Sequence, residues 1–220
     1  IEKFAMYAFN RAHAVSYAFI AYWTAYFKTN FPTEYMASVL DVYVDKQDKR
    51  TLAVAECRRL GIGILPPDIN ASREGFVIET AEPGSPASIR FGLGAIKNVG
   101  MSAVRPLLEH RASNGPFGSI EELSRKVDLR AMGKRVFESL TRVGALDTLG
   151  DRGALLNGMD RILAFSEREA KLKDSGQSTM FDLWGGEVSV PLPSLDLEGV
   201  ELGSTEKFAW EKELLGGYIS

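Results

Sequence analysis

The first 28 residues are almost continuously apolar and aromatic. A helix that is apolar on every side must be covered on every side. We therefore expect either a central core helix or a surface that meets another part of a longer protein. The residues behind this expectation are Phe4, Tyr7, Phe9, Val15, Tyr17, Phe19, Ile20, Tyr22, Trp23, Tyr26 and Phe27.

Two shorter helices are predicted next, with clear start and stop signals. Pro32 suits the first turn of a helix, and the apolar spacing extends this helix to about Val42. A further helix is predicted from about Asp48 to Leu60, where Gly61 ends it. The pattern of apolar and polar positions therefore predicts that the chain begins with a helical segment.

An extended region separates these helices from the next ones. Residues 64–70 contain two consecutive prolines, which exclude helix there. Residues 76–78 and 89–91 are predicted to be two short strands, and a Pro/Gly-rich turn at residues 82–86 joins them. A small β-hairpin is therefore expected between helical regions.

Residues 93–114, the first hairpin, carry an apolar helical turn, then Asn98-Val99-Gly100, then a new helix. Asn and Gly both tolerate left-handed backbone angles, so a tight reversal between two helices is predicted. Amides at the start of the second helix then have no helical partner and attract an anion, and we expect a DNA phosphate. The pattern resembles the helix-hairpin-helix motif of DNA binders without sequence specificity, with Asn98 where the first glycine usually stands.

A weaker copy, the second hairpin, covers residues 135–149. Its apolar stripe includes Phe137 and Leu140 and ends in Gly144-Ala145-Leu146-Asp147. The alternative interpretation is that both hairpins are ordinary helix pairs that pack a core. The DNA-contacting residues predicted from the two hairpins are Lys97, Asn98, Val99, Gly100, Met101, Ser102, Lys134, Arg135 and Gly144.

The last third of the chain contains three more predicted segments. Asp151 is suited to cap one long amphipathic helix that runs to about Lys173, and Ser119 with Glu122 forms a capping box for an earlier helix. Residues 174–203 are rich in Gly, Pro and Ser, which indicates a mobile or loosely packed linker. A final helix is predicted from Glu206 to Leu215.

Composition narrows the possible functions. The 220 residues suffice for one large or two small domains, and the single Cys57 excludes a disulfide and a cysteine-rich zinc site. The two histidines, His13 and His110, belong to no ligand-spaced cluster, so no metal site is predicted. With no signal peptide and no long uncharged apolar run, we expect a cytoplasmic location without a membrane. The start without Met and the end within a helical pattern suggest a fragment.

Charge is unevenly distributed, although the net charge is only −3. Residues 124–142 contain six basic side chains against two acidic ones. Such a run is usually a solvated helix face, but its overlap with the hairpins favours nucleic-acid contact. The basic residues are Arg125, Lys126, Arg130, Lys134, Arg135 and Arg142.

Catalytic motifs are missing from the sequence. Gly92-Leu93-Gly94 is followed by Lys97 where a dinucleotide fingerprint needs a third glycine. No phosphate-binding P-loop, supported Ser-His-Asp set or paired strand carboxylates occur. His13 shares a helix face with Ser16 or Tyr17, and on chemistry alone we favour a satisfied core histidine. The chain is therefore expected to bind and position rather than to catalyse.

Several stretches resemble, in family order, the alpha subunit of bacterial replicative DNA polymerase III, a C-family polymerase. The similarity covers essentially the whole chain and is more specific than the first hairpin alone. The matching stretches are Phe9-Asn10-Arg11-Ala12-His13-Ala14-Val15-Ser16-Tyr17, Phe31-Pro32-Thr33-Glu34-Tyr35-Met36, Ile64-Leu65-Pro66-Pro67-Asp68-Ile69-Asn70, residues 90–100 and Val143-Gly144-Ala145-Leu146-Asp147.

This resemblance implies a mainly α fold: a helical fingers segment, a short β-hairpin, a tandem helix-hairpin-helix domain, an extended linker and a terminal helix. The implied regions are distal fingers at 1–72, the hairpin domain at 73–173, the linker at 174–203 and the start of the next domain at 204–220. The catalytic aspartates of the family and their Mg²⁺ lie in an upstream palm domain, so no cofactor is expected in this fragment.

The resemblance also implies partners: duplex DNA, the sliding clamp (beta subunit) and other replisome subunits. The family's clamp-binding peptide matches Gln177, Met180, Phe181 and Leu183, with Met180 where leucine is more usual. Arg11 and His13 are the residues expected near template and incoming nucleotide. Two alternatives stay open: a repair glycosylase that uses Glu109 or Asp128, and a purely structural helical module.

Overall fold

The computed structural model describes residues 11–82, 84–174 and 195–219, and within them the fold is mainly helical with one small sheet. The strands are β1 Ile64–Leu65, β2 Val77–Glu79 and β3 Ser88–Arg90, and a 3-10 turn covers Leu93–Ala95. The helices are α1 Arg11–Asn30, α2 Pro32–Val42, α3 Gln47–Arg59, α4 Met101–Asn114, α5 Ile120–Lys126, α6 Leu129–Met132, α7 Lys134–Arg142, α8 Arg152–Asn157, α9 Met159–Asp174 and α10 Ser204–Leu215.

Helix α1 has no buried residue, so the expectation of a central core helix is wrong. Its last turn is tied to α3 by an ion pair of 2.7 Å between Lys28 and Glu56. Hydrogen bonds from Arg59 and Lys28 lower the pKa of Glu56 to about 2. His13 is exposed with its ring 4.5 Å from that of Tyr17, so the interpretation as a core histidine is also wrong.

The next two helices follow the signals read from the sequence. Helix α2 begins at Pro32 and ends at Val42, because Pro32 has the φ angle of a first turn and needs no hydrogen-bond acceptor there. Helix α3 ends just before Gly61, whose φ of +74° allows the chain to leave the helix. Both elements are therefore encoded locally.

The sheet has the order β1-β3-β2, with β3 in the centre. Strands β2 and β3 pair antiparallel through Ile78 and Ile89, which confirms the predicted hairpin. The proline-rich segment adds β1, parallel to β3, with Ile64 opposite Ile89. Gly92 follows β3 and lies against the backbone of Gly75, where a Cβ would approach the carbonyl oxygen to 2.5 Å. The central strand β3 is therefore followed directly by the first hairpin.

One hydrophobic core joins the sheet, both hairpins and the terminal helix. Each fully buried aliphatic or aromatic side chain contributes on the order of 1.5–3 kcal/mol relative to exposure. This core fixes the hairpins relative to each other. Its members include Phe91, Leu93, Leu107, Phe137, Leu140, Leu146, Leu155, Leu214 and Leu215.

The long helix expected after Asp151 is two helices, α8 and α9, with Gly158 between them. Leu197 packs on this glycine, and a Cβ at Gly158 would lie 2.3 Å from the Leu197 Cδ2 atom. The expected helix is therefore interrupted at this one residue, although hydrogen bonds from the Gly158 amide to the Ala154 carbonyl and from the Ile162 amide to the Gly158 carbonyl continue across it.

Residues 195–203 were expected to be a loosely packed part of the linker, but they lie along α5, α8 and α9. The Leu195 amide donates to Glu121 Oε1 at 3.2 Å, and the Val200 carbonyl lies against Gly153. The rest of the predicted linker, residues 175–194, is outside the described residues.

Helix α10 was expected to lead into a following domain. In the structure Leu214 and Leu215 belong to the shared core, and the Lys97 amide donates to the Leu214 carbonyl at 2.9 Å. The helix therefore contacts the first hairpin directly. The predicted domain boundaries stay predictions.

Candidate nucleic-acid interface

The first hairpin makes the tight reversal that its sequence predicts. The 3-10 turn leads to Asn98, whose φ of +69° is left-handed, and Val99 is 6% exposed beneath the loop. The Asn98 side-chain nitrogen donates to Ser139 Oγ at 3.3 Å, which ties the loop to α7. Gly100 has an ordinary φ of −81°, so only Asn98 uses the left-handed region.

Helix α4 begins without a side-chain cap. Gly100 is its N-cap residue, and among the described residues no group accepts from the amides of Gly100, Met101 or Ser102. Gly100 and Ser102 are exposed. Three free amides at the positive end of a 14-residue helix form a site that attracts an anion from solvent.

Neither backbone conformation nor packing demands a glycine at position 100. Its φ angle is accessible to any residue, and a Cβ there would meet nothing closer than Ser102 Oγ at 3.9 Å. Glycine is a favourable N-cap residue, and its lack of a side chain leaves the neighbouring amides open to the close approach of another molecule. This makes Gly100 the centre of the candidate interface.

Lys97 supplies positive charge beside these amides. Its side chain is exposed, and its Nζ lies 3.9 Å from Glu213, a loose contact between two exposed groups. Its own backbone amide is bonded to Leu214, so the loop is fixed while the ammonium group stays available.

The second hairpin differs from the first in that the helix after its turn has a side-chain cap. Gly144 has a φ of +78°, as the turn requires, but Arg152 covers it and bonds Asp147 at 2.5 Å. The Asp151 side chain accepts from the Ala154 amide at 2.8 Å and so caps α8 itself. The geometry therefore gives no support to a DNA contact at Gly144, which stays a prediction.

Lys134 and Arg135 lie at the start of α7 rather than at this turn. The N-cap of α7 is Gly133, with φ of +100° and no side-chain cap, a position that the sequence reading missed although a glycine before two basic residues marks it. Lys134 bonds Asp160 at 2.7 Å, and this hydrogen bond raises the pKa of Lys134. Arg135 is exposed and makes no ion pair within the described residues.

The basic run of residues 124–142 is not a free positive surface. Arg142 bonds Glu138 on its own helix at 2.7 Å. Acidic residues of α9 neutralise three other members of the run, because α9 packs on α5 and α6 and its first turn reaches the start of α7 through Asp160. These pairs are Arg125 with Glu169, Arg130 with Glu167, and Lys134 with Asp160.

The other predicted contact residues lie elsewhere. Arg11 and His13 are exposed in the first turn of α1, an element separate from both hairpins. The predicted clamp-binding residues Gln177, Met180, Phe181 and Leu183 are outside the described residues. Across the described parts of the chain, no cluster of three or more metal-ligating side chains occurs, and none of their helices has the length and apolarity to span a membrane.

Comparisons with known proteins agree with this geometry. Residues 61–155 match the family model described as "Helix-hairpin-helix motif". The whole chain is 40% identical to DNA polymerase III subunit alpha of Mycobacterium tuberculosis, 37% to that of Thermus aquaticus and 35% to that of Pseudomonas aeruginosa. The chain spans 18%, 17% and 20% of the length of these relatives, about a fifth.

Proposed function

The chain belongs, over its whole length, to one segment of the DNA polymerase III subunit alpha family, and we propose that this segment holds duplex DNA without reading its sequence. The observation that carries the proposal is the uncapped start of α4 at Gly100, with Lys97 beside it. Backbone amides and a lysine contact phosphates and leave the base edges unread.

The contact we propose is one phosphate of the duplex on the amides of residues 100–102. Asn98 and the bond from Lys97 to Leu214 hold the loop in place before DNA arrives. Binding of this kind needs no rearrangement of the hairpin. Arg135, at the start of α7, is the second candidate contact.

The experiment compares two glycines that occupy the same kind of position. Gly100 and Gly203 are both N-cap residues with extended backbone and room for a Cβ. A fluorescent duplex is titrated with the unaltered chain, Gly100→Ala and Gly203→Ala at several salt concentrations. We expect Gly100→Ala to weaken binding about tenfold, since a methyl group blocks charge-assisted bonds to the amides, and Gly203→Ala to leave it unchanged.

Duplex affinity of the unaltered chain is expected to fall steeply with salt and to be the same for unrelated sequences. Binding that ignores salt, or that depends on sequence, contradicts the proposal. Equal effects of the two alanine variants would remove Gly100 from the interface.

For the parent protein we propose template-directed DNA synthesis in the bacterial cytoplasm. The name of the relatives supports this, and the palm domain with its carboxylates and Mg²⁺ would be supplied by the rest of the polypeptide. The exposed aromatic helix α1 would meet that remainder, with Arg11 and His13 near template and nucleotide.

We also propose that Gln177, Met180, Phe181 and Leu183 dock on the sliding clamp, with Met180 and Phe181 as the apolar anchors. Binding of the chain to a purified bacterial clamp is compared with that of Met180→Ala/Phe181→Ala. Val188→Ala/Val190→Ala, two apolar truncations nearby, is the control. We expect clamp binding to be lost only in Met180→Ala/Phe181→Ala. Equal clamp binding by all three proteins would contradict the proposed role of the peptide.

The glycosylase alternative finds little support in the site. Asp128 uses its carboxylate to cap α6, accepting from the amides of Arg130 and Ala131 at 3.0 and 2.9 Å. A base-excision assay on damaged duplex separates this alternative from the proposal. The purely structural alternative predicts no duplex binding even at low salt.

A further inference from the structure

A groove of about 360 Å³ lies between the loop of the first hairpin and the turn that joins α2 to α3. One wall is the outer side of the same loop whose amides start α4. The opposite wall comes from residues that no sequence motif singled out. The lining includes Asp45, Gln47, Arg50, Lys97, Asn98 and Gly100.

Arg50 is the unusual member of this lining, because it is only 4% exposed and forms no ion pair within the described residues. Its two terminal nitrogens donate to the carbonyls of Val44 and Leu215, while Nε has no acceptor. A guanidinium group has five N–H donors, so several of them are unused. Burying a cation is costly, and the nearby Asp45 carboxylate and the Phe91 ring, 5.7 Å from the guanidinium carbon, offset only part of that cost. A bound anion would offset more of it.

The remaining polar groups of the groove fit an anion of low charge. Lys97 adds a second cation, and the Gln47 side chain adds an amide donor. Asp45 lines the same groove and opposes a doubly charged ligand. A phosphodiester carries one negative charge, whereas a terminal phosphate carries about −1.5 to −2 at neutral pH. The charge balance therefore favours a diester.

We propose that this groove binds a second DNA backbone phosphate, next to the one on the amides of residues 100–102, with Arg50 as its principal ligand. The inference rests on the proposed duplex binding and extends it, since Asn98 and Gly100 border both positions. One strand of the duplex then follows the loop from α4 to α3.

The test measures the slope of log affinity against log salt for a fluorescent duplex, because each phosphate contact adds about 0.9 to that slope. Arg50→Gln is expected to reduce the slope by about 1 and to weaken binding about tenfold. Arg50→Lys keeps the charge and is expected to keep the slope. A weaker affinity with an unchanged slope in Arg50→Gln would mean that Arg50 only positions the loop, and would overturn the proposal.

A second pair of variants does not touch the buried arginine and covers the case in which Arg50→Gln fails to fold. Asp45→Asn removes the negative charge from the groove and is expected to raise duplex affinity about threefold at low salt. Asp48→Asn, an equal change one turn away on α3, is the control. Equal effects of the two would overturn the proposal.

Two further outcomes are distinguishable from these. Absence of salt-dependent duplex binding by the unaltered chain would be a failure of the proposed function itself. Titration with dATP tests the other source of a phosphate group. Saturable dATP binding that Arg50→Gln abolishes, with duplex slopes unchanged, would overturn the assignment to a backbone diester.

Discussion

The two hairpins resemble each other in sequence but differ in what occupies the start of the helix after the turn. In the first, Gly100 supplies no cap and the amides stay free. In the second, Asp151 caps α8 with its own carboxylate, and Arg152 closes over Gly144. A hairpin that satisfies its own helix end has little to offer a phosphate. In a tandem pair, one hairpin can therefore bind phosphate while the other stabilises the fold.

Placing a capping carboxylate in the first hairpin, as in the second, should have the largest effect on duplex affinity. Gly100→Asp places a carboxylate where it accepts from the free amides and repels phosphate. We expect duplex affinity to fall about 100-fold, roughly 2.7 kcal/mol, while stability rises by a few tenths of a kcal/mol. Anisotropy titration and urea denaturation measure the two quantities. Gly203→Asp at the start of α10 is the control, and an equal loss in both variants would contradict the comparison.

Breaking the second hairpin should affect stability instead of binding. Gly144→Ala combines a strained φ of +78° with a Cβ 2.0 Å from an Arg152 nitrogen. We expect a loss of about 2 kcal/mol in the free energy of unfolding, and duplex affinity within about twofold where the variant is folded. Gly61→Ala has the strain without the clash, since nothing lies within 4 Å of its Cβ position. It should lose only about 1 kcal/mol.

Charge reversal at the start of α7 tests whether the second hairpin also contacts DNA. Lys134→Glu with Arg135→Glu should weaken duplex binding about fivefold, with most of the effect from Arg135, because Asp160 already offsets Lys134. Arg168→Glu with Lys171→Glu on α9 makes the same change of charge elsewhere. Affinity that is unaltered by the α7 pair would confine DNA contact to the first hairpin.

Loss of the hydrogen bond between Asn98 and Ser139, which links the two hairpins, should have the smallest effect on stability and on duplex affinity. Asn98→Gly keeps access to the left-handed φ but loses the hydrogen bond to Ser139. We expect a cost of about 0.5 kcal/mol in stability and duplex affinity within about twofold. Ser139→Ala removes the same bond from the other side, so the double variant should cost no more than the larger single change. A large loss of affinity in Asn98→Gly would show that the side chain itself binds.

Features encoded by neighbouring residues could be predicted from the sequence. Pro32 sets the start of α2, Gly61 the end of α3, and the paired apolar runs set β2 and β3. The reversal at Asn98 was likewise predictable, because few residue types accept its backbone angle.

Features set by distant contacts could not be predicted in this way. The packing of Leu197 on Gly158 joins segments about forty residues apart, and the neutralised basic run depends on acidic residues of α9. Arg50 lies in an ordinary helical pattern, and only its burial against the carbonyls of Val44 and Leu215 distinguishes it. Periodicity in one segment contains no information on which other segment covers it.

The exposure of α1 has a consequence for amide hydrogen exchange. A helix of about 20 residues without tertiary support is only marginally stable in water. Its described contacts, the ion pair of Lys28 and the packing of its last turns on α2, lie at its C-terminal end, and Trp23 is 56% exposed. Deuterium should therefore enter α1 in a gradient, fastest near Arg11 and slowest near Asn30. Slower exchange along α1 in the presence of another molecule would show that this molecule covers the aromatic surface.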